Sequence, residues 1–300
     1  MPSEQAAGPK PAEPPGGATL TAGHPSILGV SRLSRRPYLP PAAESLYRRI
    51  ARLAELGPER EFLVAPAGRG LTTRLLSQAS GASGVGADPN PSLADDATAL
   101  GRDVGFSAVH FDTASLTDLP YHDDIFDFAM GELGLGASGD PAAAVRELVR
   151  VTRPMGGVAL LQLVWTRQME RDRREALVRM LGVRPMLLVE WKQMLRDAGA
   201  VDLHVEDLTD AAGAAAEPLL GIAGLLDFWS LRDRGAVLLR AWRRWGWRGV
   251  RETLRHAREL RRLIGRERAL GLALIRGTKW RGTTSAQRPT TDTSTDEGTA

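Results

Sequence analysis

Gly68, Gly70 and, eighteen residues further on, Asp88 stand in an order that could bind a nucleotide. A short apolar run, 61–66, leads into the glycines, and a helical pattern, 71–79, follows them. Glycine lets the backbone turn tightly and lets a ligand approach it closely. A second apolar run, 83–87, ends at Asp88, where a carboxylate can accept hydrogen bonds from both hydroxyls of an adenosine ribose. A Gly-x-Gly alone also describes an ordinary tight turn, and a lone Asp a helix cap. The order strand, Gly-x-Gly, helix, strand, Asp is what points to a nucleotide. A dinucleotide site asks for a third glycine where Thr73 stands, and no Gly-x-x-x-x-Gly-Lys-Ser/Thr run is present, which sets aside NAD, FAD and P-loop chemistry. With no cysteine and five histidines without close pairing, no thiol chemistry and no metal site are expected.

These residues need elements to position them. Helical spacing over 42–56 places Leu46, Ile50, Leu53 and Leu56 on one face. Further strands are expected at 106–111, 125–130 and 158–164, and helices at 92–100 and 141–151, the last ending before a turn at 153–157. The run 158–164 is nearly all apolar, as a strand covered on both faces should be. Strands alternating with helices imply a parallel sheet, with ligands collecting at the carboxyl ends of the strands. Near the exit of 125–130 lie Glu132 and His110, read as a solvated loop acid and a strand-face residue, so no catalytic residue is assigned. The glycine-rich stretch 131–140 suits a loop bending around a ligand, and Trp165 reads as core.

Four segments carry a family pattern in order. They are Val64-Ala65-Pro66-Ala67-Gly68-Arg69-Gly70, Gly86-Ala87-Asp88-Pro89-Asn90-Pro91, Leu119-Pro120-Tyr121 running to Phe126-Asp127, and Val149 through Gly157. Residues from about 59 to 165 resemble a class I S-adenosylmethionine-dependent methyltransferase of the methyltransferase type 11, quinone-biosynthesis-like kind. The resemblance implies a Rossmann-like, doubly wound α/β fold. Its seven-stranded, mostly parallel sheet would include strands at 201–207 and 270–276, the last one antiparallel, with a helical insertion between those two strands. It implies S-adenosylmethionine as cofactor, held by Ala65, Pro66, Gly68, Gly70, Asp88, Pro89, Ser115, Leu116 and Gly131. It implies methyl transfer to a small-molecule or lipophilic acceptor by in-line displacement, with positioning supplying the rate. Three positions depart from the family pattern. Val64 replaces the acid that helps hold the methionine amino group, Pro66 replaces the first motif glycine, and Ser115 stands where an acid meets the adenine. Asp112 takes that last place only in a rearranged loop. Val64 and Ser115 favour the alternative, a degenerate, non-catalytic module that binds an anionic membrane surface or a protein partner.

The remaining signal is charge. The total of 39 basic and 36 acidic residues conceals a segment, 227–281, with 16 basic and 5 acidic side chains. The rest of the chain carries 23 basic and 31 acidic. Within the insertion, 208–269, Arg240, Arg244, Arg248, Arg251, Arg255, Arg258 and Arg262 alternate with apolar residues in a basic amphipathic helix, kinked at Gly246 and Gly249. Trp229, Trp242, Trp245 and Trp247 cluster there. The segment reads first as a helical cap over the acceptor pocket, and next, through 236–264, as a contact for an anionic membrane. Nucleic acid is not expected, because no recognised motif for it is present. Pro- and Gly-rich residues 1–25 and Thr-rich residues 282–300 read as disordered tails around a domain at 26–281, and the location is expected to be cytoplasmic.

Overall fold

The computed structural model describes residues 25–31, 44–103, 108–209 and 231–282. The expected tails, apart from Pro25 and Gly282, and part of the insertion, including Trp229, lie outside the described residues.

Strands β1 (Glu61–Val64), β2 (Ser83–Asp88), β3 (Val109–Thr113), β4 (Phe126–Gly131), β5 (Thr152–Trp165), β6 (Met186–Leu187), β7 (Ala200–Asp207) and β8 (Leu270–Lys279) form one sheet. Its order is β3-β2-β1-β4-β5-β8-β7, with β6 attached to the end of β5. Strands β1 to β6 pair parallel, and β8 lies antiparallel to both β5 and β7. The doubly wound α/β class is as expected, but the sheet has eight strands rather than seven. The additional one, β6, is two residues paired to Val164 and Trp165, too short to leave a periodic pattern in the sequence. The strands expected sixth and seventh are therefore β7 and β8.

Alternation along the strands builds two apolar layers. Phe62, Val64, Met130, Leu161 and Leu163 face one layer, completed by α2 (Glu44–Leu53), α3 (Leu71–Ser80), α6 (Arg171–Leu181) and α8 (Leu231–Arg261). Leu63, Ala129, Val158, Leu160 and Ile275 face the other, under α5 (Pro141–Val151) and α7 (Leu188–Asp197). Asp140 starts α5, its carboxylate accepting from the Ala143 N–H at 2.9 Å ahead of a proline in the first turn. Short α1 (Ile27–Ser31) and α4 (Pro91–Asp103) complete the set of α-helices among the described residues. None of the described helices is long and apolar enough to cross a membrane.

Strand boundaries differ most from expectation at β3, at the start of β5 and at the end of β8, which runs to Lys279 rather than 276. The third strand is described at Val109–Thr113 where 106–111 was expected, residues 106 and 107 lying outside the described residues, and Asp112 stands on the strand itself. The turn expected at 153–157 belongs to β5. There the pairing register with β4 shifts between Phe126 and Phe128, and Met155 takes a positive φ of 65°.

Helix α8 has non-helical backbone at Gly246 (φ 68°, ψ −169°), one of its two expected kinks. Gly249 stays helical and meets a different need. A Cβ there would lie 2.3 Å from the Trp245 Cβ, so glycine makes room for the tryptophan that the break at Gly246 turns across it. Val237, Ala241, Val250, Thr253, His256 and Leu260 form the buried face of α8, while Trp242 and Trp247 are 50% and 68% exposed.

Candidate functional site

The segment leaving β1 is held from both sides. The Ala65 N–H donates to the Met130 carbonyl of β4 (2.9 Å), and the Ala67 N–H donates to the Ala87 carbonyl of β2 (2.8 Å). Gly68 and Gly70 both take the left-handed conformation, with φ of 56° and 72°. Their surroundings differ. Space beside Gly68 is open, whereas a Cβ on Gly70 would lie 2.3 Å from the Phe111 ring of β3 and 3.1 Å from Ala97 of α4. Gly68 therefore offers bare backbone to a ligand, and Gly70 lets β1, β3 and α4 approach one another.

Asp88, at the carboxyl end of β2, is buried. Its Oδ2 accepts the Gly68 N–H and its Oδ1 the Asn90 N–H, each at 2.9 Å. This carboxylate fixes the glycine turn relative to the β2 exit. The bare Gly68 backbone and the acid beside it fit the ribose end of an adenosine ligand.

Across the sheet, Glu132 follows the last residue of β4. Its Oε1 accepts from the Tyr47 hydroxyl of α2 and the Thr72 hydroxyl of α3, both at 2.9 Å. The Gln162 amide, buried in the otherwise apolar run of β5, donates to the Glu132 carbonyl at 2.8 Å and the Gly131 carbonyl at 3.2 Å. Glu132 keeps some accessible surface, yet protein atoms crowd its carboxyl group. Burial pushes the acid up to about 7, against the hydrogen bonds from Tyr47 and Thr72, which pull it down. Burial and the neighbouring Glu132 charge hold the Tyr47 hydroxyl well above its ordinary value. Glu132 is thus not the solvated loop acid expected from its glycine-rich surroundings. Those glycines serve close packing: a Cβ on Gly134 would meet Pro66 at 2.4 Å, and one on Gly136 the Arg184 carbonyl oxygen at 2.5 Å.

The other expected site residues scatter in role. Val64 is fully buried, so β1 contributes no acid. Ala65 is buried, and Pro66, half-buried after a cis peptide bond, packs on Gly134. Pro89 is exposed beside Asp88. Ser115 lies past the end of β3, sharing a 3.1 Å hydrogen bond with Thr117, while the Leu116 side chain is taken up by the core. Asp112 is already engaged, accepting from the Tyr121 hydroxyl at 2.8 Å and lying 2.9 Å from His110 Nε2. His110 is exposed on its strand, as expected. Gly131 is enclosed by Leu135, Leu148 and Leu160, and its carbonyl is taken by Gln162. Trp165 is core. The Leu119–Tyr121 segment is clamped by Arg150, which bonds the Leu119 and Tyr121 carbonyls (3.1 and 2.8 Å) and both oxygens of Glu147 (2.7 Å each). Glu132, Tyr47, Thr72 and Gln162 escaped the assigned site, although the position of Glu132 at a strand exit was a signal for it.

Comparison with known proteins agrees with this geometry. Residues 63–160 match the model of a methyltransferase domain family. An uncharacterised protein of Mycobacterium tuberculosis (strain ATCC 25618 / H37Rv) is 32% identical over 126 residues, 38% of this chain and 44% of that one. The match therefore spans less than half the length of this curated relative. Among solved structures, the [4+2]-cyclase SpnF superposes with a TM-score of 0.62 at 21% identity, covering 79% of this chain and 80% of its own. Phosphoethanolamine N-methyltransferase 2 of Haemonchus contortus, in complex with S-adenosyl-L-methionine, superposes with a TM-score of 0.65 at 12% identity, covering 85% of this chain and 58% of that one. At these identities the structural likeness establishes the fold.

Proposed function

Taking residues 63–160 as a methyltransferase domain within a class I fold, we propose that the chain transfers the methyl group of S-adenosylmethionine to a small-molecule acceptor. The observation that carries this reading is the Asp88 carboxylate fastened to the Gly68 turn between the exits of β1 and β2. When bound, the cofactor supplies an electrophilic methyl group on a sulfonium. Asp88 and the Gly68 backbone hold its ribose. Glu132, Tyr47 and Thr72 line the β4 side, where α2 and α3 come together and limit access of water. In-line displacement at an activated methyl draws its rate from alignment and exclusion of water, so this reading assigns no general base. The test is isothermal titration with S-adenosylmethionine followed by a methyl-transfer assay against pooled small-molecule acceptors. Saturable binding is the expected result. Absence of heat at millimolar cofactor would overturn the reading in favour of a non-catalytic module.

A lipophilic acceptor, reached at an anionic membrane surface, is favoured by one observation. Trp242 and Trp247 are exposed on α8, a helix with ten Arg against three acidic residues. Exposed tryptophan among arginines suits the headgroup boundary of a charged bilayer. The chain is expected to co-sediment with phosphatidylglycerol vesicles and not with phosphatidylcholine vesicles. Replacing both Trp242 and Trp247 with alanine should lower that partitioning at least about fivefold. Equal sedimentation with both vesicle types would remove the membrane contact.

A further inference from the structure

Glu132 is an acid at the boundary of β1 and β4, where the strand order of this sheet reverses and where open α/β sheets bind ligands. Among the described residues no cation pairs with it. A crowded carboxylate without a counter-charge costs free energy that a positively charged ligand recovers. The surroundings hold this acid in place without neutralising it. Tyr47 from α2 and Thr72 from α3 both donate to Oε1, and Gln162 from β5 fixes the backbone carbonyl. Oε2 accepts no hydrogen bond among the described residues. The neighbouring β1 exit offers Val64, apolar and fully buried, so it does not compete for a cation.

A ligand whose ribose rests on Asp88 of β2 and which crosses the β1 turn has its far end over β4. Resting on the cofactor reading above, we propose that Oε2 of Glu132 receives the ammonium group of the methionine part of S-adenosylmethionine. The ligand carries a second cation, the sulfonium, but it has no N–H to donate to an open carboxylate oxygen. Its charge also disappears as the methyl leaves. A carboxylate placed against it would stabilise the starting state more than the transition state and slow the reaction. The ammonium keeps its charge throughout, so the same carboxylate there strengthens binding without that cost to the rate.

The test compares the full chain with Glu132→Gln, titrating each with S-adenosylmethionine, S-adenosylhomocysteine and 5′-methylthioadenosine. The last keeps the adenosine and the sulfur but has no ammonium. Glutamine retains an oxygen for Tyr47 and Thr72, so the variant keeps its shape, and its affinity for 5′-methylthioadenosine checks that directly. Glu132→Gln is expected to bind the first two at least about tenfold more weakly, and 5′-methylthioadenosine within about twofold of the unchanged chain. A pH arm adds a readout that a structural role would not move. The acid titrates near 7, and the groups facing it, the Tyr47 and Thr72 hydroxyls and the Gln162 amide, do not titrate there. Binding needs the carboxylate, so affinity of the unchanged chain for S-adenosylhomocysteine should fall between about pH 8 and about pH 6, and that of the variant should not. Equal weakening of all three ligands overturns the proposal in favour of a role in shaping the site. Weakening of S-adenosylmethionine alone reassigns Glu132 to the sulfonium and overturns it as well. If the unchanged chain binds and the variant binds equally, Glu132 alone is misread. If the unchanged chain binds none of the three, the cofactor reading falls and takes this proposal with it.

Discussion

Asp88→Ala is expected to weaken S-adenosylmethionine binding by at least about tenfold and to destabilise the chain in the same step. A hydrogen bond to a charged group is worth about 1.5–3 kcal/mol, so losing the contact to the ribose corresponds to one or two decades of affinity. The same carboxylate accepts the Gly68 and Asn90 N–H groups, and alanine leaves both without this acceptor. Stranding such donors costs about 1–3 kcal/mol each where water cannot reach them. Calorimetric titration reads the first effect and denaturant unfolding the second. A chain that loses stability but keeps its affinity would show that Asp88 only fastens the turn, and that the ligand lies elsewhere.

Gly70→Ala should cost about 2–5 kcal/mol of stability. Left-handed backbone costs an ordinary residue about 1–2 kcal/mol, and overpacking a filled interior a further 1–3 kcal/mol. Both terms apply at Gly70, with φ of 72° and a Phe111 ring atom 2.3 Å from the new Cβ. At Gly68 the first term applies alone, because the space beside it is open. Gly68→Ala should therefore be milder by the packing term. Adding Phe111→Leu to Gly70→Ala should restore part of the loss, since the two changes share one contact. The three variants and the unchanged chain can be compared by denaturant midpoint at constant slope. Equal losses at Gly68 and Gly70 would contradict this account.

How much of this was legible in the sequence follows from the range of the interactions. The β1 turn, the end of β2 and the run into β4 are local patterns, and apolar periodicity with Gly and Asp punctuation places them to within a few residues. The start of β5 is not local. Its five residues 153–157 look like a turn, yet Arg153 reaches Asp127 at 2.9 Å and Thr152 bonds the Leu148 carbonyl at 2.7 Å, which draws them into the sheet. Glu132 looks like a loop acid because its glycine neighbours suggest solvent. What buries and fixes it is contact with Tyr47 and Thr72, 85 and 60 positions away. Gln162 likewise reads as one polar letter in an apolar strand until the β4 exit comes beside it. Helices α6 and α7 left no clear signal among the motif-bearing residues, since they close the layers and carry none of the nucleotide pattern.

The Phe111 ring has a consequence for how this chain can diverge. It occupies the room that a Cβ would need at Gly70 and at Gly86, 2.3 and 2.5 Å away. Two glycines on different elements are thus tied to the bulk of one side chain on a third. Neither glycine can be given up while phenylalanine stays, and a smaller residue at 111 would relieve only part of the constraint, since Gly70 keeps its left-handed φ of 72° and a Cβ on Gly86 would still lie 2.9 Å from the Ala67 Cβ. In descendants of this sequence Gly70 of the turn and Gly86 of β2 should be lost only where the ring at 111 has already shrunk, so that the two glycines record the size of a neighbouring side chain as well as, at the turn, the demands of a ligand.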